Sequence, residues 1–581
     1  MRQNRAVCRF PPLLPLNPPS PAIVTQEAAR RLPRLALWLL CVAYVAPGFL
    51  GRAPWKSADI ASFGFMQALA EGRSAWLAPT LFGLPPDVPG PLAYWLGAWA
   101  LRLAPGWLAP ELAVRVPFAL MLALTLAATW YATYCLARHP GAQPVAFAFG
   151  GEARPRDYAR ALADGSLLAL IATLGLAQLS HETTPALAQL CFTALAFMGL
   201  AALPFRPRAA LGAVAVALPG LALAGAPALA LAYGGLALVA LARPLPHLAT
   251  PVRRRAWVVL ALVVLASAAL AGGLHLFRWQ WAWPQGWTGW RSLGQLLLWF
   301  TWPIGPLALW TLWRWRGQLG HVRQQRHLGL PLMMAGVALA AALLAPGRDR
   351  SLLAALPALA ALAALALPTL RRSMAALIDW FTVLFFSAWA IVIWVVWLAM
   401  QTGVPAKPAA NVARLAPGFE PVWQWPAFVA ALLGTLAWAW LARWRTGRHR
   451  TALWKSLVLP AAGAALCWLL LMTLWLPALD YGRSLAPQVR EVARLMRPMG
   501  QPGCVHTQGL GAPHLAALHF HGGWAVQPLP APAGGHATPR CPWLLTPAHG
   551  PAPAAPWVLA HTVPRPASRE DTLRLYRRAD D

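Results

Sequence analysis

Between Leu35 and Pro477 the chain alternates apolar runs with short arginine-rich breaks, and the runs approach the roughly 20 residues that an α-helix needs to cross a bilayer. They fall at about 35–52, 112–137, 165–180, 186–203, 209–224, 226–242, 256–277, 294–313, 328–346, 351–370, 374–400, 424–442 and 453–476, which predicts about thirteen transmembrane helices. The breaks carry the orientation, because cytoplasmic loops collect Lys and Arg. Arg30–Arg34, Arg154–Arg160, Phe205–Arg208, Pro251–Arg255, Arg314–His327, Arg371–Ser373 and Arg443–Arg450 are therefore expected inside. The N-terminal segment 1–34 is then cytoplasmic, and Leu35–Leu50, with no small-residue cleavage site after it, reads as an anchor and not as a removed signal peptide. Pro91–Pro105 is short and aromatic and contains Arg102. Read as an interfacial amphipathic helix, it keeps the later basic clusters inside and makes residues 51–110 a first periplasmic loop. Tryptophans at loop edges, as in Phe277–Trp290, fit an aromatic belt.

After Pro477 the pattern changes. "SLAPQVREVARLMRP" has helical apolar spacing, "CVHTQ" and "WAVQPL" read as strands, and "PAPAGGHATP" reads as a loop. The fold class expected is an all-α polytopic membrane protein of the bacterial inner membrane. Its transmembrane domain is 35–476, interfacial helices lie in its first loop, and a small C-terminal α/β periplasmic domain occupies 477–581.

Composition agrees with this and removes other classes. Of 581 residues 58% are hydrophobic and 11% charged, which no ordinary soluble globule shows. A net charge of +30 would point to nucleic acid in a soluble protein, but here the arginines sit between apolar runs as topology signals, and no nucleic-acid partner is expected. Of seven cysteines, Cys504 and Cys541 lie in the C-terminal domain. An oxidising compartment would let them pair, and two buried small side chains are the equal alternative.

Ionisable groups at the outer membrane surface are costly and so are functional candidates. They are Lys56 and Asp59 in "APWKSADIASFG", Asp87 in "FGLPPDVPGPLAYW", His181 and Glu182 in "LSHETTPALA", and Arg348 and Arg350 in "GRDRS". Arginine forks suit phosphate oxygens. The tail histidines, among them His506, His514, His519, His521, His536, His549 and His561, lack carboxylate partners and regular spacing, so no metal or other cofactor is expected.

The text "PWKSADIASFG", "SAWLAPTLFGLPPDVPGPLAYW" and "LAVRVPFAL" resembles three signatures of the C-type membrane glycosyltransferases, "PWKPDEAYSFG", "GDWLVPTLxGxPxxEKPPLYYW" and "AARLPSAL". "LLLWFTWPIGPLALWTLWR" and "RSLLAALPALAALAA" resemble later ones. The similarity is to the bacterial branch that holds the lipid A aminoarabinose transferase and the protein O-mannosyltransferases. It implies transfer of a sugar from a polyprenyl-phosphate donor to a lipid or glycan acceptor on the periplasmic face, as in lipid A and cell-envelope modification. On that reading Asp59 is the base, Asp87, His181 and Glu182 shape or share the role, and Lys56, Arg348 and Arg350 hold the phosphate. The chain departs from the pattern. The family's acidic pair falls on Ala58 and Asp59, its Glu-Lys falls on Val88 and Pro89, and its acid after the His-Glu falls near Ala186. A member that binds polyprenyl-linked glycan without catalysis is the alternative. A lipid or glycan transporter fits less well, because Asp379 is the one acid inside a run. With Asp59 read as an exposed loop acid, Asp59→Asn is expected to cost well under about 1 kcal/mol.

Overall fold

A computed structural model describes residues 20–242, 249–278, 282–345, 347–446, 452–497, 503–529 and 541–579. Most of the N-terminal segment, Trp279 and Trp281 of the aromatic stretch, Arg448 and Arg450 of the last basic cluster, and the loop "PAPAGGHATP" with His536 lie outside the described residues.

The fold is mostly helical, and a helix lies in each of the thirteen predicted runs. Among the described residues, seven helices can cross a bilayer by length and composition, or up to nine if each of two bent pairs is one span, and Arg34–Val45, Pro207–Leu223 and Pro227–Ala242 are shorter apolar helices. Prolines set several starts. Pro110, Pro155, Pro185 and Pro207 stand in the first turns of their helices, where the missing N–H costs nothing and the fixed φ is already helical.

Two predicted runs are broken, not straight. Run 294–313 divides into Gly286–Phe300 and Ile304–Arg314 at an angle of 89°, with Pro303 at the break unable to donate to the helix ladder. Run 453–476 divides into Lys455–Leu471 and Leu476–Arg483 at 70°. Run 165–180 is shifted: its helix spans Pro155–Ile171, and a 3-10 turn, Leu179–His181, follows.

The Ala/Leu-rich helix Leu356–Ala366 is buried at the centre, where small side chains allow close approach of its neighbours. Trp425–Thr446, by contrast, turns Leu433, Leu436 and Trp440 outward, an apolar surface suited to lipid. Helix Leu92–Leu103 rises only about 18 Å, too short to cross a ~30 Å core, as an interfacial helix would be. Asp379, the acid in a run, is ion-paired with Arg445.

The C-terminal region forms a five-stranded sheet of β1 (Cys504–Thr507), β2 (Ala525–Pro528), β3 (Trp543–Pro547), β4 (Trp557–Arg565) and β5 (Ser568–Arg578), in the order β2-β1-β3-β5-β4. β1 runs parallel to β2 and β3, and β5 runs antiparallel to β3 and β4. The sheet rests on the first loop. Helix Ala512–Gly522 packs on helix Ala58–Ala70 so closely that a Cβ on Gly64 would lie 2.5 Å from Ala516 Cβ, and the Phe63 and Phe520 rings are 4.6 Å apart. Cys504 and Cys541 form a disulfide that joins the start of β1 to the approach to β3. It closes a loop of 37 residues, so Cys504→Ser with Cys541→Ser is expected to destabilise this domain by about 2–5 kcal/mol, read as a lower melting midpoint and faster proteolysis of the C-terminal region.

Candidate active site

Five stretches far apart in sequence converge where the first helix ends. The turn Gly51–Trp55 follows helix Arg34–Val45, and Asp59 stands in the first turn of helix Ala58–Ala70. The turn 178–183 links two further helices, Arg350 lies in the short helix Arg348–Leu352, and Arg483 ends helix Leu476–Arg483. Arg115 comes from the helix Pro110–Ala137.

Asp59 is not an exposed loop acid; its side chain is 2% exposed and that of Arg52, its ion-pair partner at 3.0 Å, 0%. Thr183 N–H and Oγ1–H donate to Oδ1, each at 2.8 Å, while Arg52 Nη2 at 3.0 Å and Trp55 N–H at 3.2 Å donate to Oδ2. Those four donors fill the four lone-pair positions of a carboxylate. Burial pushes the Asp59 carboxyl up, but the charges of Arg52 and Arg115 and the Thr183 bonds outweigh it and hold it below the usual range. Arg52 also donates to the His181 carbonyl at 2.8 Å and lies 4.5 Å over the Trp55 ring, whose Nε1–H donates to Asp480 at 2.6 Å. Asp59 and Arg52 therefore tie the first loop to the 178–183 turn.

His181 is buried beside Tyr44, Phe49 and Trp468, and its Nε2 lies 3.1 Å from the Tyr44 carbonyl. A Cβ on Gly48 would come within 2.3 Å of its ring, so the site packs tightly there. Burial lowers its pKa to about 4. Walled in by these rings and set against the Ala177 and Tyr44 carbonyls, the imidazole shapes the turn.

Glu182 is different. Its side chain is 4% exposed beneath Arg350, which is 33% exposed and donates to Oε2 at 2.9 Å. Gln178 Nε2 donates to Oε1 at 3.3 Å, and Arg483 donates to Gln178 Oε1 at 2.6 Å. Burial raises the Glu182 carboxyl above the usual range; Arg350 opposes this and Asp59 adds to it. Each of its oxygens has one donor, so a lone pair remains on each. The arrangement is a guanidinium rim of Arg350 and exposed Arg483 over a carboxylate floor.

Asp59, His181, Glu182 and Arg350 thus come together. Lys56 points elsewhere: it is ion-paired with Asp571 on β5, beside Arg565. Arg348 donates to the Ala282 carbonyl, and Asp87 is exposed in its loop. Sequence reading missed Arg52, Arg115, Gln178, Thr183, Asp480 and Arg483. Arg52 and Arg483 did carry a signal, since both are cations beside apolar runs on the side that the sequence reading expects to be the outer one, where basic residues are disfavoured. Among the described residues no three His, Cys, Asp or Glu side chains are grouped to hold a metal ion.

No protein-family profile and no curated protein sequence matches the chain. Two solved structures match its fold. ArnT from Cupriavidus metallidurans bound to undecaprenyl phosphate gives a TM-score of 0.55 at 15% identity, over 94% of this chain and 97% of that one. The same protein in the apo state gives 0.54 at 16% identity, over 94% and 96%. The chain shares the fold of ArnT across nearly its whole length, as the sequence resemblance implied.

Proposed function

We propose that the protein is a glycosyltransferase of the bacterial inner membrane that moves a sugar from a polyprenyl-phosphate donor to a lipid or glycan acceptor on the periplasmic face. The observation that carries the reading is the guanidinium rim over buried Glu182, beside the Asp59–Arg52 pair, on a fold whose ArnT counterpart was solved bound to undecaprenyl phosphate. Sugar transfer from such a donor needs few groups. The acceptor hydroxyl oxygen bonds to the anomeric carbon, the bond from that carbon to the phosphate oxygen breaks, and the phosphate leaves with the electron pair. Phosphate is a good leaving group, so cations suffice to stabilise it. A carboxylate must take the acceptor's proton. Glu182 has the unoccupied lone pairs and the raised affinity for a proton that this step uses, and Arg350 and Arg483 meet the phosphate. Asp59 and His181 are positioning residues, holding Thr183 and the turn that carries Glu182. Lys56, by its bond to Asp571, holds the C-terminal domain to the first loop.

A second reading, a binder of polyprenyl-linked glycan that does not transfer it, is favoured by one observation: Ala58 stands where the family pattern has an acid, and the neighbouring Asp59 already has four donors. A transfer assay in purified membranes with polyprenyl-phosphate sugars separates the two. Transfer by the wild type supports the enzyme. Donor binding without transfer, with transfer gained in Ala58→Asp, supports the binder.

For the topology, with 1–34 cytoplasmic and 51–110 and 477–581 periplasmic, a reporter active only in the periplasm should work when fused after Pro105 or Leu476 and fail after Arg255. Activity at Arg255 overturns it.

A further inference from the structure

Away from the Asp59 cluster the bundle holds a cavity of ≈ 250 Å³, walled by Cys135, Leu136, His139 and Phe205 and flanked by Arg138 and Arg326. It lies at the other end of the bundle. Helix Pro110–Ala137 places Arg115 at the Asp59 cluster and Cys135 at the cavity, and it rises roughly 30 Å between them. That is about the thickness of a hydrocarbon core.

The chemistry of the cavity is one-sided. No carboxylate lines it, and neither Arg138 nor Arg326 has an ion-pair partner among the described residues. Each arginine is nevertheless held in place. The Arg138 guanidinium lies 4.5 Å over the Phe205 ring, and Arg326 donates to the Leu200 carbonyl at 2.7 Å. Capping the end of helix Pro185–Ala202 accounts for that one bond of Arg326. It leaves the Arg138 fork and the cavity between the two unexplained. Two preset guanidinium groups facing a partly apolar hollow, at the depth where a bilayer surface lies, match a phosphate oxyanion in charge and in fork geometry.

We propose that this cavity binds a phosphate group, carried by a lipid headgroup or free in solution. It is separate from the site that would hold the sugar donor, and the proposal does not rest on the glycosyltransferase reading.

The test measures equilibrium binding of dioctanoyl phosphatidic acid, dioctanoylglycerol and inorganic phosphate to the purified full-length protein in uncharged detergent. The wild type is compared with Arg138→Gln, with the double variant Arg138→Gln/Arg326→Gln, and with Arg350→Gln. Phosphatidic acid is expected to bind the wild type and Arg350→Gln alike, and the double variant about tenfold or more weakly, which corresponds to about 1.4 kcal/mol. Phosphatidic acid without inorganic phosphate identifies a lipid headgroup; equal binding of both identifies a free phosphate, and either supports the site. Arg138 is exposed and its side chain makes no hydrogen bond among the described residues, so Arg138→Gln alone keeps the fold and should weaken binding severalfold. Three results overturn the proposal: dioctanoylglycerol binding as well as phosphatidic acid, unchanged binding in Arg138→Gln, or loss confined to Arg350→Gln.

Discussion

Glu182→Gln is expected to lower sugar transfer by about 10²- to 10⁴-fold at unchanged folded yield, the range that a positioned general base supplies. The fold should tolerate it, because glutamine still accepts from Arg350, whose side chain is 33% exposed and stays partly solvated. The loss should fall on kcat, since the base acts only as the acceptor's proton moves. Arg350→Gln should instead raise KM, because the phosphate is present in both the ground and the transition state. The pH profile gives an independent reading. Burial sets the Glu182 carboxyl above the ordinary range, and a base must be ionised. The acid limb of kcat should therefore lie at higher pH than for an ordinary glutamate and should vanish in Glu182→Gln. Stability runs the other way. The folded state holds this proton more tightly than the unfolded chain, so stability decreases as pH rises from the ordinary glutamate value through the raised one. If Glu182→Gln transfers at the wild-type rate, Glu182 is not the base.

The second large effect is on stability. Asp59→Asn leaves the Arg52 charge fully buried without its counter-charge, and breaking a buried pair from one side costs about 3–5 kcal/mol. Arg52→Ala should cost as much from the other side, and both should show as lost folded protein and a lower melting midpoint in detergent. The double replacement Arg52→Met/Asp59→Leu removes both charges, so it should recover much of the stability. Transfer should not recover with it, because Thr183 and the turn that carries Glu182 lose their anchor. An Asp59→Asn protein with wild-type melting would return Asp59 to the role of a solvated acid. The low cost expected from sequence assumed exposure, and the 2% exposure of the Asp59 side chain removes that assumption.

The apolar runs alone determined the helical architecture, because a chain that must satisfy its backbone inside lipid has few other options and writes them as long hydrophobic stretches. The change of pattern after Pro477 likewise marked the C-terminal domain, and β1 and β2 fall on "CVHTQ" and "WAVQPL". β3 to β5 were not legible, since proline and charge interrupt them and only pairing across the sheet makes them strands. At the site, residue type was legible where a charge sat in an expensive place, as at Asp59, Glu182 and Arg350. Partnership was not. Lys56 and Arg350 look alike in sequence as outer-face cations, yet the fold turns one to Asp571 and the other to Glu182, 515 and 168 residues away. Which charge is buried, and against what, depends on contacts between segments that no local pattern encodes. That is why tertiary structure alone separated an anchored Asp59 from a Glu182 with room to take a proton.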